Sequence, residues 1–256
     1  MKESIAIVTG ASQGIGRATA IRLADDFAAV VLVARHRAHL EQTAEAVQAA
    51  GARALVIDAD LSEPAAAQAV VDRTLSTFGR IDALLNIAGA VPQVDLFEMA
   101  DAQWESGLAL KLHGARRLTI AAWPALREAK GSVVLMSGNS ALFPKAPYAA
   151  VGTINAAIVA LAKAFSDRGI ADGVQVNSVL PGPVMTGRRR SYLDHWASLH
   201  DMTAKEAMEK FPKEAGIARY GEAEEIAELM AFLVSPAAKW MTGSALRMDG
   251  GEVKSI

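Results

Sequence analysis

Short runs of apolar residues recur along this chain, and longer segments with helical periodicity separate them. The predicted strands are Ser4–Thr9, Ala29–Ala34, Ala54–Ala59, Ala83–Ile87, Ser132–Met136, Val174–Val179 and Ser244–Met248. The predicted helices are Gly14–Asp25, His39–Ala50, Glu63–Phe78, Asp101–Ala129, Pro147–Asp167 and Glu222–Leu233. Continuous apolar strands that alternate with helices indicate a parallel sheet covered on both faces. The pattern therefore predicts a doubly wound, seven-stranded α/β fold.

Composition agrees with one domain and narrows the classes of function. The 256 residues are 52% hydrophobic, and no repeat or Gly/Ser-rich linker interrupts the alternation, so we expect one domain over residues 1–256. A net charge of −2 gives no overall attraction to nucleic acid or anionic membranes. With no cysteine and no HxxxH or HExxH pair, we expect no disulfide, no thiolate catalysis and no metal site.

The chain also lacks the usual sequence signals for export or membrane insertion. Residues 1–4 lead directly into the first predicted strand, without a charged and apolar leader. No uninterrupted apolar run reaches the roughly 18 residues that a membrane span needs. We therefore expect a cytoplasmic protein with neither a membrane nor a nucleic-acid partner.

A glycine-rich turn joins the first strand to the first helix. It reads Thr9-Gly10-Ala11-Ser12-Gln13-Gly14-Ile15-Gly16. Glycines at this spacing let the backbone turn tightly and approach a pyrophosphate, whose charge is favoured at a helix N-terminus. The alternative is a turn that is rich in glycine for steric reasons alone. We favour a nucleotide phosphate site.

Further segments, in order and at compatible spacing, make the chain resemble the classical short-chain dehydrogenase/reductases over nearly its whole length. They are Asp60-Leu61, Asn86-Ile87-Ala88-Gly89, Asn177–Gly182, Thr186, Arg219-Tyr220-Gly221 and Met248–Gly251. The resemblance implies a Rossmann fold, an oxidoreductase acting on a small carbonyl or alcohol, and a homodimer or homotetramer built on the two long helices. The cofactor contacts that it implies are Gly10, Ser12, Gln13, Gly14, Ile15, Gly16, Asp60, Leu61, Asn86, Ala88, Gly89, Asn155, Pro181, Gly182, Val184 and Thr186.

The end of the second strand bears on the choice of cofactor. An acidic residue there would bind the ribose hydroxyls of NAD, but this chain has Ala34-Arg35-His36-Arg37. Arg35, with Arg37 as a second candidate, could pair with the additional phosphate of NADP. The alternative is a solvated arginine on a loop. We expect NADP(H) in preference to NAD(H).

The positions that carry catalysis in the resembled family hold other residues here. Members use Asn, Ser, Tyr and Lys, with the Tyr hydroxyl as the acid–base group and the Lys lowering its pKa. Flanking motifs place these positions at Lys111, Gly138, Val151 and Asn155. A shifted register would make Tyr148 the catalytic Tyr, but Gly152 would then stand at the Lys position, and we reject it.

Two hypotheses of different classes follow, with a third behind them. In the first, the enzyme has relocated its proton donor to Tyr148, and Lys111 supplies the positive charge. Ser137 and Ser140 flank Gly138, and Ser140 lies on the same strand face as Gly138 if the strand extends that far. Tyr148 would then share a helical stripe with Val151 and Asn155; the alternative is that Tyr148 only lines the pocket rim. The second hypothesis is an inactive nucleotide-binding sensor, scaffold or partner subunit. The third is lyase or isomerase chemistry on the same fold.

Residues 186–215 are irregularly patterned and correspond to the variable substrate lid of the resembled family. Arg188-Arg189-Arg190 could bind an acidic substrate, but a solvated lid surface is the favoured interpretation. His195, Trp196 and Met202 are candidates for an apolar underside of this segment.

Overall fold

A computed structural model describes residues 3–255, apart from the side chains of His195 and Leu199. Seven parallel strands form one sheet in the order β3-β2-β1-β4-β5-β6-β7. Their bounds are β1 Ile5–Thr9, β2 Ala29–Ala34, β3 Arg53–Asp58, β4 Ala83–Asn86, β5 Ser132–Met136, β6 Gln175–Pro181 and β7 Ala245–Met248. The predicted seven-stranded, doubly wound fold is confirmed.

The strands are largely apolar because helices cover both faces of the sheet. Successive residues of a strand point to opposite faces, so in β1 Val8 joins one apolar cluster and Ile7 the other. The Val8 cluster includes residues of α1 (Gly14–Leu23), α2 (Arg37–Ala49) and α9 (Ala223–Val234). The Ile7 cluster includes residues of α3 (Ala66–Phe78), α5 (Ala115–Ala129) and α6 (Ala149–Asp172).

The helix predicted over Asp101–Ala129 is continuous but not uniformly α-helical. It begins as α4 (Asp101–Gly107), widens to a π-helix over Leu108–Gly114, and continues as α5. π-helical turns are rare and are found frequently at functional sites. The widened segment contains Lys111, at the position that the resemblance gives to the family's Asn.

The helix predicted over Pro147–Asp167 starts and ends later than expected. A short 3-10 turn occupies Ala146–Tyr148, and α6 itself runs from Ala149 to Asp172. It ends at Gly173, whose φ of 72° allows the left-handed cap that stops the helix. Tyr148 has a non-helical backbone (φ −149°, ψ 43°), so the predicted stripe of Tyr148, Val151 and Asn155 on one helix is wrong.

Together with its preceding turn, α6 is long and apolar enough to cross a membrane by length and composition alone. The expectation from uninterrupted apolar runs missed this, because mean hydropathy tolerates interspersed polar residues. In the structure, α6 packs against β5 and β6, and Ile154, Ile158 and Ala162 are buried there. These contacts are those of a core helix in an α/β sheet.

The lid segment, which we define as residues 186–215, is helical, and its description as irregular is wrong. It forms α7 (Gly187–Leu199) and α8 (Ala204–Ala215), each begun by a threonine cap. Leu193, Ala197 and Ala207 form a small core of their own, against which Trp196 and Met202 pack as expected. The His195 side chain, the third member of that prediction, lies outside the described residues. The helical period was missed because so few apolar residues define this core.

Candidate cofactor and active site

A cleft of about 370 Å³ opens at the carboxyl ends of the strands, where β1 lies between β2 and β4. At this point the chain order of the sheet reverses, and open α/β sheets bind ligands in the crevice there. Many of the predicted cofactor contacts line the cleft. They are Gly10, Ser12, Gln13, Gly14, Ile15, Gly16, Arg35, Leu61, Ala88, Gly89, Gly182, Val184 and Thr186.

The glycine turn at the cleft floor requires glycine at particular positions. Gly10 and Gly14 have φ values of 67° and 55°, and a Cβ on Gly16 would overlap the Gly10 carbonyl oxygen. Behind the turn, the Thr9 hydroxyl accepts hydrogen bonds from the backbone N–H groups of Ile87 (2.9 Å) and Ala88 (3.0 Å). Thr9 thereby fixes the loop after β4 against the glycine turn, a role that its sequence position did not indicate.

Four predicted contacts are absent from the cleft lining: Asp60, Asn86, Asn155 and Pro181. Hydrogen bonds from the Ser62 hydroxyl and N–H hold the pKa of Asp60 below its usual value, and Arg35 lies 3.9 Å away. Asn86 donates to the Thr119 hydroxyl, while its buried Oδ1 has no hydrogen-bond partner among the described residues. Their role in cofactor binding stays a prediction.

The two candidate arginines after β2 differ in their partners. Arg37 donates to Glu41 (2.9 Å) and to Asp58 (3.0 Å), so carboxylates already occupy its guanidinium. Arg35 lines the cleft with a side chain that is 57% exposed, and its ion pair with Asp60 is long, at 3.9 Å. Arg35 is therefore the better placed of the two to receive an anion.

A hydrogen-bonded cluster of polar side chains lies beside the cleft. Lys111 Nζ donates to the Ser137 carbonyl oxygen at 3.1 Å and to Asn155 Oδ1 at 2.5 Å. Asn155 Nδ2 donates to Ser140 Oγ at 2.9 Å, and the Ser137 hydroxyl donates to the Asn155 carbonyl at 2.7 Å. These hydrogen bonds join Lys111, Ser137, Ser140 and Asn155 in one network, which we call the Lys111 cluster. The partners lie 26 to 44 positions after Lys111 in the chain.

The environment of Lys111 changes its acidity. Burial, with the nearby charge of Arg188, lowers the pKa of Lys111 from 10.5 to about 7. The aliphatic stem packs on Gly89, where a Cβ would lie 3.0 Å from Lys111 Cδ. Because its pKa lies near neutrality, Lys111 can hold and release a proton at physiological pH.

The other two substituted positions carry no acid–base group. A Cβ on Gly138 would lie 2.6 Å from Asn155 Nδ2, so the Asn155 side chain occupies the space that a residue at 138 would need. Val151 is half-buried one turn before Asn155 on α6. Ser140 stands in a 3-10 turn, Asn139–Ala141, beyond the end of β5 at Met136, so its predicted placement on an extended strand is wrong.

Tyr148 is half-buried near a different set of groups. Burial raises the pKa of Tyr148, the charges of Glu252 and Tyr192 raise it further, and Arg189 opposes them. The hydrogen bonds of Lys111 go to Ser137 and Asn155, and the charge that acts on it is that of Arg188. The predicted support of Tyr148 by the Lys111 charge therefore has no counterpart in these contacts.

The lid arginines are largely on a solvated surface, since Arg188 and Arg190 are exposed and Arg189 is half-buried, but two of them also reach the cleft. Arg188 Nη2 donates to the Gly89 carbonyl oxygen at 2.7 Å, and Arg188 and Arg189 both line the cleft. Arg190 is exposed and does not line it. The helical turn of α7 separates these three consecutive residues onto different faces.

Sequence reasoning missed a second group of lining residues. They are Val33, Ala34, His36, Ala59, Ile87, Ala90, Gln93, Leu110, Met136, Gly187 and Tyr192. Several adjoin predicted contacts and were within reach of the motifs, such as Ala34 beside Arg35. Gln93 and Tyr192 lie outside any motif, and only the folded chain brings them to the cleft.

Comparison with known proteins identifies relatives over the full chain. The family described as enoyl-(acyl carrier protein) reductase matches residues 10–252. The short-chain reductase protein NovJ of Streptomyces niveus is 32% identical over 250 residues, which cover 98% of this chain and 94% of that protein.

Solved structures show the same fold. The L-sorbose reductase of Gluconobacter frateurii, in complex with NADPH and L-sorbose, superimposes with a TM-score of 0.94 at 29% identity, covering 100% of both chains. A variant of actinorhodin polyketide ketoreductase with NADPH has a TM-score of 0.93 at 28% identity, covering 98% of each. The likeness extends to the whole sheet and both of its helical layers.

Proposed function

This chain belongs to the short-chain dehydrogenase/reductase family, and from that premise we propose that it is an NADP(H)-dependent reductase of a small carbonyl compound. The observation that carries the proposal is the Lys111 cluster beside a glycine-floored cleft. The cleft offers a site for a dinucleotide. The cluster contains Lys111, whose pKa lies near neutrality.

The residues of the cleft fit NADP(H). The positive φ values of Gly10 and Gly14 and the close packing of Gly16 give the backbone turn that a pyrophosphate requires, and the N-terminus of α1 favours its charge. Arg35 receives the additional phosphate, since Arg37 is already paired with carboxylates. NADPH, when bound, supplies a hydride. The NADPH in the two similar reductase structures supports this choice of cofactor.

We assign to Lys111 the proton that the substrate oxygen takes up during reduction. The resemblance places Asn at position 111 and Lys at position 155, and this chain has the two residue types exchanged. Asn155 and the Ser137 carbonyl orient the Lys111 ammonium, and Ser140, whose oxygen already accepts from Asn155, directs its own proton toward the substrate oxygen. Tyr148 takes no part in this proton transfer, because burial raises the pKa of its phenol and so disfavours ionisation.

The test is NADPH oxidation, followed by absorbance, with a panel of ketones and aldehydes, together with calorimetric binding of NADPH. We expect the wild type to reduce at least one class of carbonyl, and Lys111→Met to bind NADPH without turnover. Binding without turnover of any panel member by the wild type would instead favour the sensor or scaffold hypothesis. Undiminished turnover in Lys111→Met would remove Lys111 from the proposal.

We further propose a homodimer or homotetramer. Ile120 on α5 is 52% exposed and Ile170 on α6 is 73% exposed, and apolar side chains at helix surfaces favour association with a second copy. Light scattering coupled to size exclusion tests this, and a monomer at micromolar concentration contradicts it.

A further inference from the structure

Arg189 of the lid segment is held in the cleft wall by aromatic rings. Its guanidinium lies 4.9 Å from the ring centre of Phe211 and 5.4 Å from that of Tyr192. Phe211 in turn stacks on Tyr220, with ring centres 5.8 Å apart. Contacts to ring faces fix the plane of a guanidinium while leaving its N–H groups, which point outward in that plane, available to an acceptor.

Several arginines of this chain have carboxylate partners, whereas Arg189 has none within residues 3–255. Arg22 donates to Asp26 and Glu228 at 2.8 Å each, and Arg219 binds Glu225 through two hydrogen bonds. Within residues 3–255, the Arg189 guanidinium has ring contacts but no hydrogen bond and no ion pair. Burial accordingly lowers the pKa of Arg189, despite a weaker opposing attraction from Glu252.

The groups that act on the charge of Arg189 lie on the Tyr148 side of the cleft. Its electrostatic neighbours are Tyr148, Tyr192, Tyr220 and Glu252. The adjacent Arg188 is anchored on the Gly89 carbonyl and helps to lower the pKa of Lys111. We therefore expect a substrate bound beside the Lys111 cluster to lie within reach of Arg189.

We propose that Arg189 binds an anionic group of the substrate, a carboxylate or a phosphate, and so selects an acidic carbonyl compound. This inference rests on the proposed reductase function. A guanidinium without a carboxylate partner in a cleft wall is unfavourable until an anion pairs with it, and its planar donors match the oxygens of either group. The lid segment contributes this contact because α7 and α8 bring Tyr192 and Phe211 together around it.

The experiment compares matched pairs of ligands in three variants. The pairs are short 2- and 3-keto acids with their methyl esters, and dihydroxyacetone phosphate with dihydroxyacetone. The variants are Arg189→Met, Arg189→Lys and the control Arg190→Met, which removes a neighbouring charge from outside the cleft. Affinity is measured by calorimetry on protein loaded with NADP⁺, so that no turnover is needed, and kcat/KM is measured with NADPH.

We expect the wild type to prefer the anionic member of at least one pair, and Arg189→Met to lower its affinity and kcat/KM by about 100-fold. Neutral members should change less than about threefold, Arg189→Lys should restore part of the loss, and Arg190→Met should match the wild type. A loss of affinity confined to the keto acids identifies a carboxylate as the bound group, and a loss confined to dihydroxyacetone phosphate identifies a phosphate.

Equal affinity for the anionic and neutral members of both pairs overturns the inference, and so does an equal loss for both members in Arg189→Met. A failure of the proposed function looks different. In that case the wild type would fail to bind NADPH, or would bind it without reducing any carbonyl of the panel, and a cofactor titration and the turnover assay reveal this independently of the ligand pairs.

Discussion

The two ends of the cleft are constructed from different kinds of groups. At the phosphate end, residues 10–16 form a tight turn whose shape depends on three glycines, Gly10, Gly14 and Gly16. At the other end, Lys111, Asn155 and Arg189 come from three helical segments far apart in the chain. A backbone surface depends on conformation, which few substitutions preserve. A surface made of side chains can keep its chemistry when two positions exchange residue types. Under our proposal this has happened at Lys111 and Asn155, where the family has Asn and Lys.

The strongest test of this difference is Lys111→Met. We expect kcat for carbonyl reduction to fall by about 1,000-fold, because the proton source is lost, while NADPH affinity changes less than about threefold. Steady-state kinetics and calorimetry measure the two quantities. Lys205→Met, an exposed lysine on α8, is the control. If both quantities fell together, the two ends of the cleft would not be separable.

The complementary test is Gly16→Ala, which alters the phosphate end of the cleft and leaves the Lys111 cluster in place. Its Cβ would overlap the Gly10 carbonyl, so the turn must shift, and we expect NADPH affinity to fall by about 100-fold. Gly221→Ala is the matched control, since its nearest contact would be an ordinary 3.6 Å to Val184. Normal NADPH affinity in Gly16→Ala, measured by calorimetry, would contradict a backbone-built site.

A smaller change in NADPH affinity is expected from substitutions of the two arginines that follow β2. We expect Arg35→Ala to weaken NADPH binding by about 30-fold and to leave NADH binding unchanged, because a charge-assisted contact to the additional phosphate is lost. Arg37→Ala should have little effect, since Glu41 and Asp58 already occupy Arg37. An equal loss for NADPH and NADH in Arg35→Ala would assign that arginine to another part of the cofactor.

The pH dependence reports on the Lys111 end alone. Reduction needs the ammonium, and the pKa of Lys111 is lowered to about 7, so kcat should be level below that pH and fall about tenfold per unit well above it. Arg188→Met removes a repelling charge and should move the midpoint upward. A rate that stays level to pH 9 would exclude Lys111 as the proton source.

The smallest effect is expected for Tyr148→Phe, which removes a hydroxyl whose pKa is raised rather than lowered. We expect kcat to change by less than about threefold, since the half-buried ring is retained and the proton comes from Lys111. A loss comparable to that of Lys111→Met would return the proton transfer to Tyr148, as the first sequence hypothesis had it.

Apolar runs in the sequence predicted most of the fold, and the glycine-rich turn predicted the phosphate end of the cleft. The strands were found to within two residues because apolar runs buried on both faces differ sharply from the turns around them. The lid helices were missed because Leu193, Ala197 and Ala207 form too small a core to impose a clear period. The π-helical turn around Lys111 left no recognisable pattern either, since the apolar residues on both sides read as one helix.

By itself, the sequence determined the parallel sheet, the glycine turn and the preference for Arg35, because each depends on residues adjacent in the chain. Tertiary structure alone decided that Lys111 binds Asn155, that Ser140 joins them from a turn, and that Tyr148 stands apart. It also decided that Arg189, one of three consecutive arginines, is the one held between rings. The physical reason is that side-chain pairing and burial, which set pKa and charge, depend on neighbours that only folding brings together.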